Sequence, residues 1–456
     1  MTRLGGTDIA WPRLAEIIAV LTLQAGYNTV VVMIGVTILG LAAGTVGTFA
    51  VLRKRALMSD TLSHATLPGI ALAFLTAIAF GAQGRSLPVL LSGAVVSAVL
   101  GVLIVQFIVR NTRLPVDAAM GAVLSVFFGL GFVLLSYIQR LGTGAEGGIS
   151  KFIYGQTAAM SVGDAQAIAF VATGSAIAAA LLFKEFRLVC FDPEFAAAQG
   201  WPISVIDLLM MALIVLVTVI GLQAVGLILI VALIIIPPAA ARFWTERLWV
   251  MTLIAAGIGA LSGYIGAALS ALLPRFPAGG IIVLVAGVFF LLSLFFAPAR
   301  GVVAAIIRRQ RLQLQIGSQH VLRGLYEATE AGRLPPGDWV PSRSIRAVRA
   351  WSALRRSLVL FWLETWGLIT RRNERLRLTE AGQREAIRLT RNHRLWEEFL
   401  VSHAELAPSH VDRSADLVEH VLDRDMVAKL ERQLAAVGRL PRSVHPIQAP
   451  DLRSPA

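Results

Sequence analysis

At 456 residues, with 56% hydrophobic residues and a mean hydropathy of +0.71, the chain is not a single soluble domain. Its formal charge is +13, and more than half of that excess lies after residue 300. Residues up to about Gly301 are long apolar stretches. From about Arg308 the chain is Arg-rich and holds six of the seven histidines. Cys190 is the single cysteine, which excludes an intramolecular disulfide and a multi-thiolate zinc site.

Met1 to Gln24 reads as a short interfacial helix started by Trp11-Pro12, with no removable signal peptide expected. Spans are predicted at about 28–52, 62–82, 87–109, 117–138, 164–183, 248–272 and 278–297. Each is near the roughly 20 apolar residues that cross a bilayer. Leu208 to Ala241 is uncharged for longer than one span needs. Gly221 and Gly226 near its middle predict two spans joined by a tight turn. The total is eight or nine.

If spans alternate from residue 28, Arg53-Lys54-Arg55, Arg110/Arg113, Lys184/Arg187, Arg242/Arg247 and Arg300 fall on one side. Arg85, Arg140, Lys151 and Arg275 form a weaker set on the other. Positive charge accumulates on the cytoplasmic side, so the N-terminus is expected outside and the tail inside.

Three local patterns carry the chemistry of the apolar half. The first is Asp60 and His64, four residues apart and therefore on one helical face. Ionisable groups at a membrane helix are costly and mark ion paths. A carboxylate with an imidazole suits Mn(II), Fe(II) or Zn(II) rather than an alkali ion. The alternative is a helix-capping Asp beside an interfacial His. The second is Phe191-Asp-Pro-Glu194-Phe-Ala-Ala-Ala-Gln-Gly200-Trp-Pro202, between two spans on the expected cytoplasmic side. It predicts a short helix closed by Gly, with Pro just beyond. Such a helix either docks on a partner or is an ordinary loop helix. The third is Leu233-Ile-Ile-Ile-Pro237-Pro238, two prolines expected to end or kink a span, with Pro277-Ala-Gly279-Gly280 further on.

In this order, the segments resemble the zinc/manganese/iron ABC-importer permease family over about residues 25–300. The carrying motifs are the Arg-Lys-Arg…Ser-Asp-x-x-Ser-His-x-x-x-Pro-Gly run, the Asp117-Ala-Ala-Met-Gly121…Ser125 helix, the Phe-Asp-Pro-Glu…Gly segment and the Pro-Pro-Ala-x-Ala-Arg turn. The resemblance implies a homodimeric permease with a central metal path, a separate ATP-binding subunit below and an extracytoplasmic metal-binding protein above. It makes Asp60 and His64 the metal-pathway residues and Glu194 to Gly200 the coupling helix. The chain has no Gly-x-x-x-x-Gly-Lys-Ser/Thr loop, so nucleotide is expected on the other polypeptide and this chain is not expected to be an enzyme.

From Ile316 the pattern becomes amphipathic helices. Leu322 to Ala331 and Arg349 to Trp366 read as helical. Leu376 to Gly382 reads as a short strand and a helix start, with Thr379 as N-cap and Gln383 near the capping-box position. His393 and Glu397 are i, i+4; Asp412, Asp416, Glu419 and His420 are i, i+4, i+7 and i+8. Each set shares a helical face. The two faces either converge as O and N ligands or are solvated acidic faces, since Arg and acids alternate here.

Residues about 316–450 resemble the iron/manganese-dependent repressors of the diphtheria-toxin-repressor type. The matching pieces are His320-Val-Leu-Arg-Gly-Leu-Tyr-Glu, Leu378-Thr-x-x-Gly382, His393-Arg-Leu-Trp-Glu397 and Glu419-His420. The resemblance places His393, Glu397, Glu419 and His420 at metal-ligand positions. His320, Asp412 and Asp416 are substitutions there that remain competent ligands; carboxylate in place of thiolate favours harder ions, Mn(II) over Zn(II). The segment Ser352-Ala-Leu-Arg-Arg-Ser-Leu-Val-Leu-Phe-Trp362 departs from the family, with Leu and Val where polar base-reading residues stand. Arg355 and Arg356 can touch phosphate, which carries no sequence specificity. Nucleic acid is therefore not expected as a partner.

The expected fold class is an all-α polytopic membrane protein of the ABC-importer permease type with a C-terminal winged-helix and helical metal-regulator-like domain. The expected organisation is an interfacial segment (1–27), a transmembrane permease domain (28–300), a linker (301–315), a winged-helix-like domain (316–390), a helical dimerisation and metal-binding region (391–440) and a tail (441–456). The leading expectation is the permease subunit of an ATP-driven Mn/Fe/Zn importer in the cell membrane, a lipid-embedded homodimer with a cytoplasmic metal-sensing domain. A membrane-tethered, metal-dependent transcription regulator is the alternative, although an anchor needs one or two spans. A secondary metal transporter would leave the coupling segment without a role.

Overall fold

The computed structural model describes residues 13–55, 57–80, 87–141, 157, 160–273, 276–330, 338–342, 345, 351–403, 424–436 and 438. The chain divides into two compact units, Met1–Ala305 and Ile306–Ala456.

The regular secondary structure described in the first unit is all helix. A short helix, α1 (Leu14–Leu21), precedes the long ones: α2 (Tyr27–Leu52), α3 (Met58–Ala79), α4 (Leu87–Asn111), α5 (Val116–Arg140) and α6 (Val162–Leu181). Two short helices, α7 (Phe183–Phe191) and α8 (Pro193–Ala198), lead to α9 (Ile203–Val225), α10 (Leu227–Ala241), α11 (Leu248–Leu272) and α12 (Ala278–Phe296). By length and composition, eight of these are able to cross a membrane; α10 is a shorter apolar helix. The stretch 208–241 does divide in two, and it divides at Gly226, whose φ of +84° suits a residue without a Cβ. Residues 1–12, including Trp11-Pro12, lie outside the described residues.

Helix α2 is the hub. It packs on α11, α6, α10 and α9, while α3 packs between α4 and α5. In a bilayer, apolar burial does not drive helices together, so close backbone contact between small residues matters more. The α2/α11 seam has this character: a Cβ added to Gly40 would stand 2.2 Å from the Gly259 carbonyl, and one on Gly259 2.1 Å from the Gly40 carbonyl.

Of the two outcomes the sequence left open for Pro237 and Pro238, an ended helix is not the one found. Helix α10 continues past them to Ala241. Proline withholds the N–H that the carbonyl four residues earlier would accept, here those of Leu233 and Ile234. The Ile234 carbonyl faces Gly47 of α2, where a Cβ would approach it to 2.1 Å. Close approach of α2 thus covers a carbonyl the helix cannot satisfy.

Arg300 follows α12 and forms a two-pronged bond to Glu246, Nε to Oε1 at 2.7 Å and Nη2 to Oε2 at 2.9 Å. That hydrogen bond holds the exposed Glu246 carboxyl below the usual carboxylate range.

The second unit opens in α13 (Val302–Glu330). The stretch 301–315, expected as a linker, is therefore helical from Val302; beyond Gly301 it has no Gly or Pro to interrupt it. A three-stranded antiparallel sheet of order β1 (Val340–Pro341), β3 (Arg375–Leu378), β2 (Ile369–Arg372) accompanies α14 (Ala353–Thr365). Helix α15 (Glu380–His403) follows β3, and α16 (Arg424–Ala436) packs on it. Thr379 caps α15, its Oγ1 accepting the Gly382 N–H at 3.0 Å. Val321, Leu325, Val359, Leu363, Ile369, Leu376 and Ala386 form a core of this unit's own. The combination is a winged-helix arrangement continued by helices.

Candidate functional site

The first site is built on α3. Asp60 lies in its first turn and His64 one turn on, with His64 Nε2 3.6 Å from Asp60 Oδ1. The His64 ring packs edge-on against Phe128 of α5, centroids 4.9 Å apart. Its Nδ1 is buried with no hydrogen-bond partner among the described residues. A buried polar atom without a partner is unfavourable, and such atoms concentrate where a ligand supplies the missing contact. Pro68, a further turn along, removes the donor that would satisfy the His64 carbonyl. The wall behind is fixed by Ser97 of α4, whose Oγ donates to the Ala65 carbonyl at 2.6 Å. The site thus presents a half-exposed carboxylate, a mostly enclosed imidazole and an aromatic edge, a weak set suited to a passing cation.

The second site is α8. Asp192 caps it, Oδ1 accepting the Phe195 N–H at 2.9 Å. Its end is a Schellman motif: Gly200 donates to the Ala197 carbonyl at 2.9 Å, and Trp201 to the Ala196 carbonyl at 3.0 Å. Gly200 has φ +82°, which disfavours any other residue. Glu194 is exposed, as are the large apolar side chains of Phe191, Phe195 and Trp201. A short, doubly capped helix with exposed apolar side chains is a firmly held element that offers an apolar face to solvent.

Sequence reasoning missed Asp207, in the first half of α9. It is 8% exposed and accepts from two cations, Arg53 Nη2 at 3.0 Å and Arg55 Nη1 at 2.7 Å. The signal was faint: one acid in an apolar helix, with its partners beyond the end of α2. Cys190 lies close by in α7, and burial pushes its thiol up to about 12 against the opposing charge of Arg53.

In the second unit, His393 is almost fully buried, and its Nε2 is 3.2 Å from Glu397 Oε1. Its Nδ1 faces Arg323 Nη1 at 2.8 Å. A guanidinium only donates, so Nδ1 accepts and the imidazole proton sits on Nε2, toward Glu397. Arg323 also reaches Glu327 Oε1 at 3.4 Å. His320 is on α13, one turn before Arg323. Asp412, Asp416, Glu419 and His420 lie outside the described residues. Among the described residues no three His, Cys, Asp or Glu side chains come together to hold a metal. Arg323 holds the Nδ1 side of the ring and Nε2 faces Glu397, so His393 and Glu397 supply one imidazole and one carboxylate side by side.

The would-be DNA-reading helix α14 begins at Ser352, which caps it. Val359, Leu360 and Leu363 face the core, while Leu354, Leu358 and Phe361 are exposed. Trp362 stacks on Trp366, and Arg355 lies over Trp351. The exposed face is apolar and aromatic.

Comparison with known proteins agrees with this division. Residues 27–297 match the ABC 3 transport family, and residues 379–445 match the iron dependent repressor, metal binding and dimerisation domain. A manganese transport system membrane protein, MntC of Bacillus subtilis, is 37% identical over 91% of this chain and 93% of its own. A zinc transport system membrane protein, TroC of Treponema pallidum, is 40% identical over 65% of this chain and 98% of its own. The structure of PsaBC from Streptococcus pneumoniae in complex with Fab matches with a TM-score of 0.55 and 30% identity, covering 65% of this chain and 100% of that one. With its spans, its α3 pair and a family match over more than half its length, the chain is a multi-pass membrane protein that belongs to the ABC 3 transport family.

Proposed function

We propose that this chain is the permease subunit of an ATP-driven importer of a divalent transition metal, Mn(II), Zn(II) or Fe(II). The observation that carries the reading is the Asp60–His64 pair, with a buried His64 Nδ1 that has no partner among the described residues. The ion is substrate here. It is handed from an extracytoplasmic metal-binding protein, meets Asp60 and His64, and leaves on the cytoplasmic side. Two protein ligands hold it weakly, which permits release. Hydrolysis takes place on separate ATP-binding subunits docked at α8, two copies of this chain forming the path in the cell membrane. The names of the manganese and zinc relatives support a transition-metal substrate. The test is uptake of radioactive manganese or zinc by proteoliposomes carrying the full complex. His64→Ala and Asp60→Ala should abolish uptake while the complex still assembles. Normal uptake by both variants would sink the reading.

The tail is proposed as a cytoplasmic regulatory domain responsive to the same class of metal, supported by the repressor-type match over 379–445. Positive charge accumulated after residue 300 supports its cytoplasmic side. A DNA-binding tail is the second reading, favoured by the winged-helix arrangement; the apolar outer face of α14 argues against it.

A further inference from the structure

The segment that enters and leaves α8 is tied to the start of the metal path by one small charge cluster. Arg53, just past α2, donates through Nη1 to the Val189 carbonyl at 3.1 Å and through Nη2 to Asp207 at 3.0 Å. Val189 precedes α8 by one half-turn and a cap, and Asp207 follows it in α9. A single guanidinium therefore grips both chain ends of the docking helix. The second oxygen of Asp207 is held by Arg55, five residues before Asp60.

The link between α2 and α3 is itself strained. Lys54 has φ +57°, a left-handed conformation that a lysine does not favour. Strained backbone persists where its surroundings over-determine it, and here it is flanked on both sides by arginines anchored to Asp207. Beside the cluster, Arg55 and Asp207 border a cavity of about 50 Å³ with Met58, Gln106 and Arg110. The Nε2 of Gln106 is buried without a hydrogen-bond partner among the described residues. These are conditions under which the carboxylate has room to change partners.

We propose that Asp207 is a positioning residue for transport: with Arg53 and Arg55 it converts movement of the ATPase-docking segment into movement of the α3 turn that carries Asp60. An outward or inward shift of α8 pulls on Val189 and Asp207 together. Since Arg53 and Arg55 flank the α2–α3 link, that shift reaches Asp60 without passing through the apolar core. In the structure the Asp207 carboxylate holds both arginines, and release of one of them is the second arrangement the proposal requires. An element with two such arrangements turns a small shift into a discrete one. The proposal rests on the reading of α8 as the ATPase-docking helix.

The experiment uses the full complex in proteoliposomes, with ATP hydrolysis and metal uptake measured on the same preparation. Asp207→Asn keeps shape and removes the charge. Its expected result is ATP hydrolysis near wild type with uptake lowered about ten-fold, a size typical of coupling between sites. Asp207→Glu should restore part of the uptake per ATP. Arg55→Gln combined with Asp207→Asn should be no worse than Asp207→Asn alone, because the Arg55–Asp207 ion pair is already lost in the single variant. If Asp207→Asn fails to assemble, Arg55→Gln, which leaves the Arg53 bond intact, is read the same way. An unchanged ratio of uptake to hydrolysis in whichever variant assembles overturns the proposal. So does a proportional fall of both activities with a lowered melting temperature, the mark of a purely stabilising ion pair. Phe195→Asp separates the underlying reading: if it leaves ATPase binding intact, α8 is not the docking helix and that reading fails first.

Discussion

Arg323 and His393, 70 residues apart in sequence, meet at 2.8 Å through a guanidinium nitrogen and Nδ1. A fixed cation therefore already occupies the electrostatic role that a metal would take beside His393 and Glu397. Arg323→Met keeps the apolar stem and removes the charge. It should raise the affinity of the full-length chain for Mn(II), with a gain on the order of ten-fold for one relieved charge contact. Equilibrium dialysis with metal analysis measures this; unchanged or weaker binding would show that the tail does not take metal through His393.

Gly200→Ala tests the end of α8. A non-glycine residue at φ +82° costs about 1–2 kcal/mol, and nothing else crowds the site. The variant should fold and insert normally, because the strain is local to an exposed turn. Uptake should fall several-fold while ATPase binding weakens in pull-down from detergent.

Cys190 should be inert. With its thiol pushed to about 12 by burial, almost no thiolate exists at pH 7.5, and the thiolate is the reacting form. Maleimide labelling of the folded chain should be slow at pH 7.5 and rise with pH through 9, whereas labelling in denaturant should be fast. Prompt labelling of the native protein at pH 7.5 would contradict the burial described.

Gly40→Ala should lower the melting temperature of the purified chain. Its Cβ would be driven to 2.2 Å from the Gly259 carbonyl, so α2 and α11 must separate. Overpacking of this kind costs about 1–3 kcal/mol. Gly257→Ala, on the same partner helix, meets nothing within 4 Å and serves as the control. A thermal unfolding scan should separate the two.

What the sequence made legible was local. His64 follows Asp60 by one turn, Glu397 follows His393 by one turn, and Gly226 divides an overlong apolar run; each is a relation within a few residues. Asp207 and Arg53 are 154 residues apart, and no spacing rule joins them. Arg323 is hidden from spacing in the same way, since its partner His393 lies 70 residues on. The two prolines of α10 left two outcomes open because the penalty for losing a helical donor depends on what covers the carbonyl. Gly47 of α2 supplies that cover, and only packing reveals it.

The seam between Gly40 and Gly259 also limits how this chain can drift in evolution. Each glycine faces the other's carbonyl, so enlarging either one collides with backbone rather than with a side chain. A second substitution cannot make room, because no side chain is there to shrink. Compensated pairs, the usual route by which packed positions exchange residues, are closed at this place. Exposed positions such as Leu284, by contrast, are free to wander among apolar residues. Across related sequences the two glycines should therefore vary neither singly nor together, while the outer face of α12 turns over rapidly.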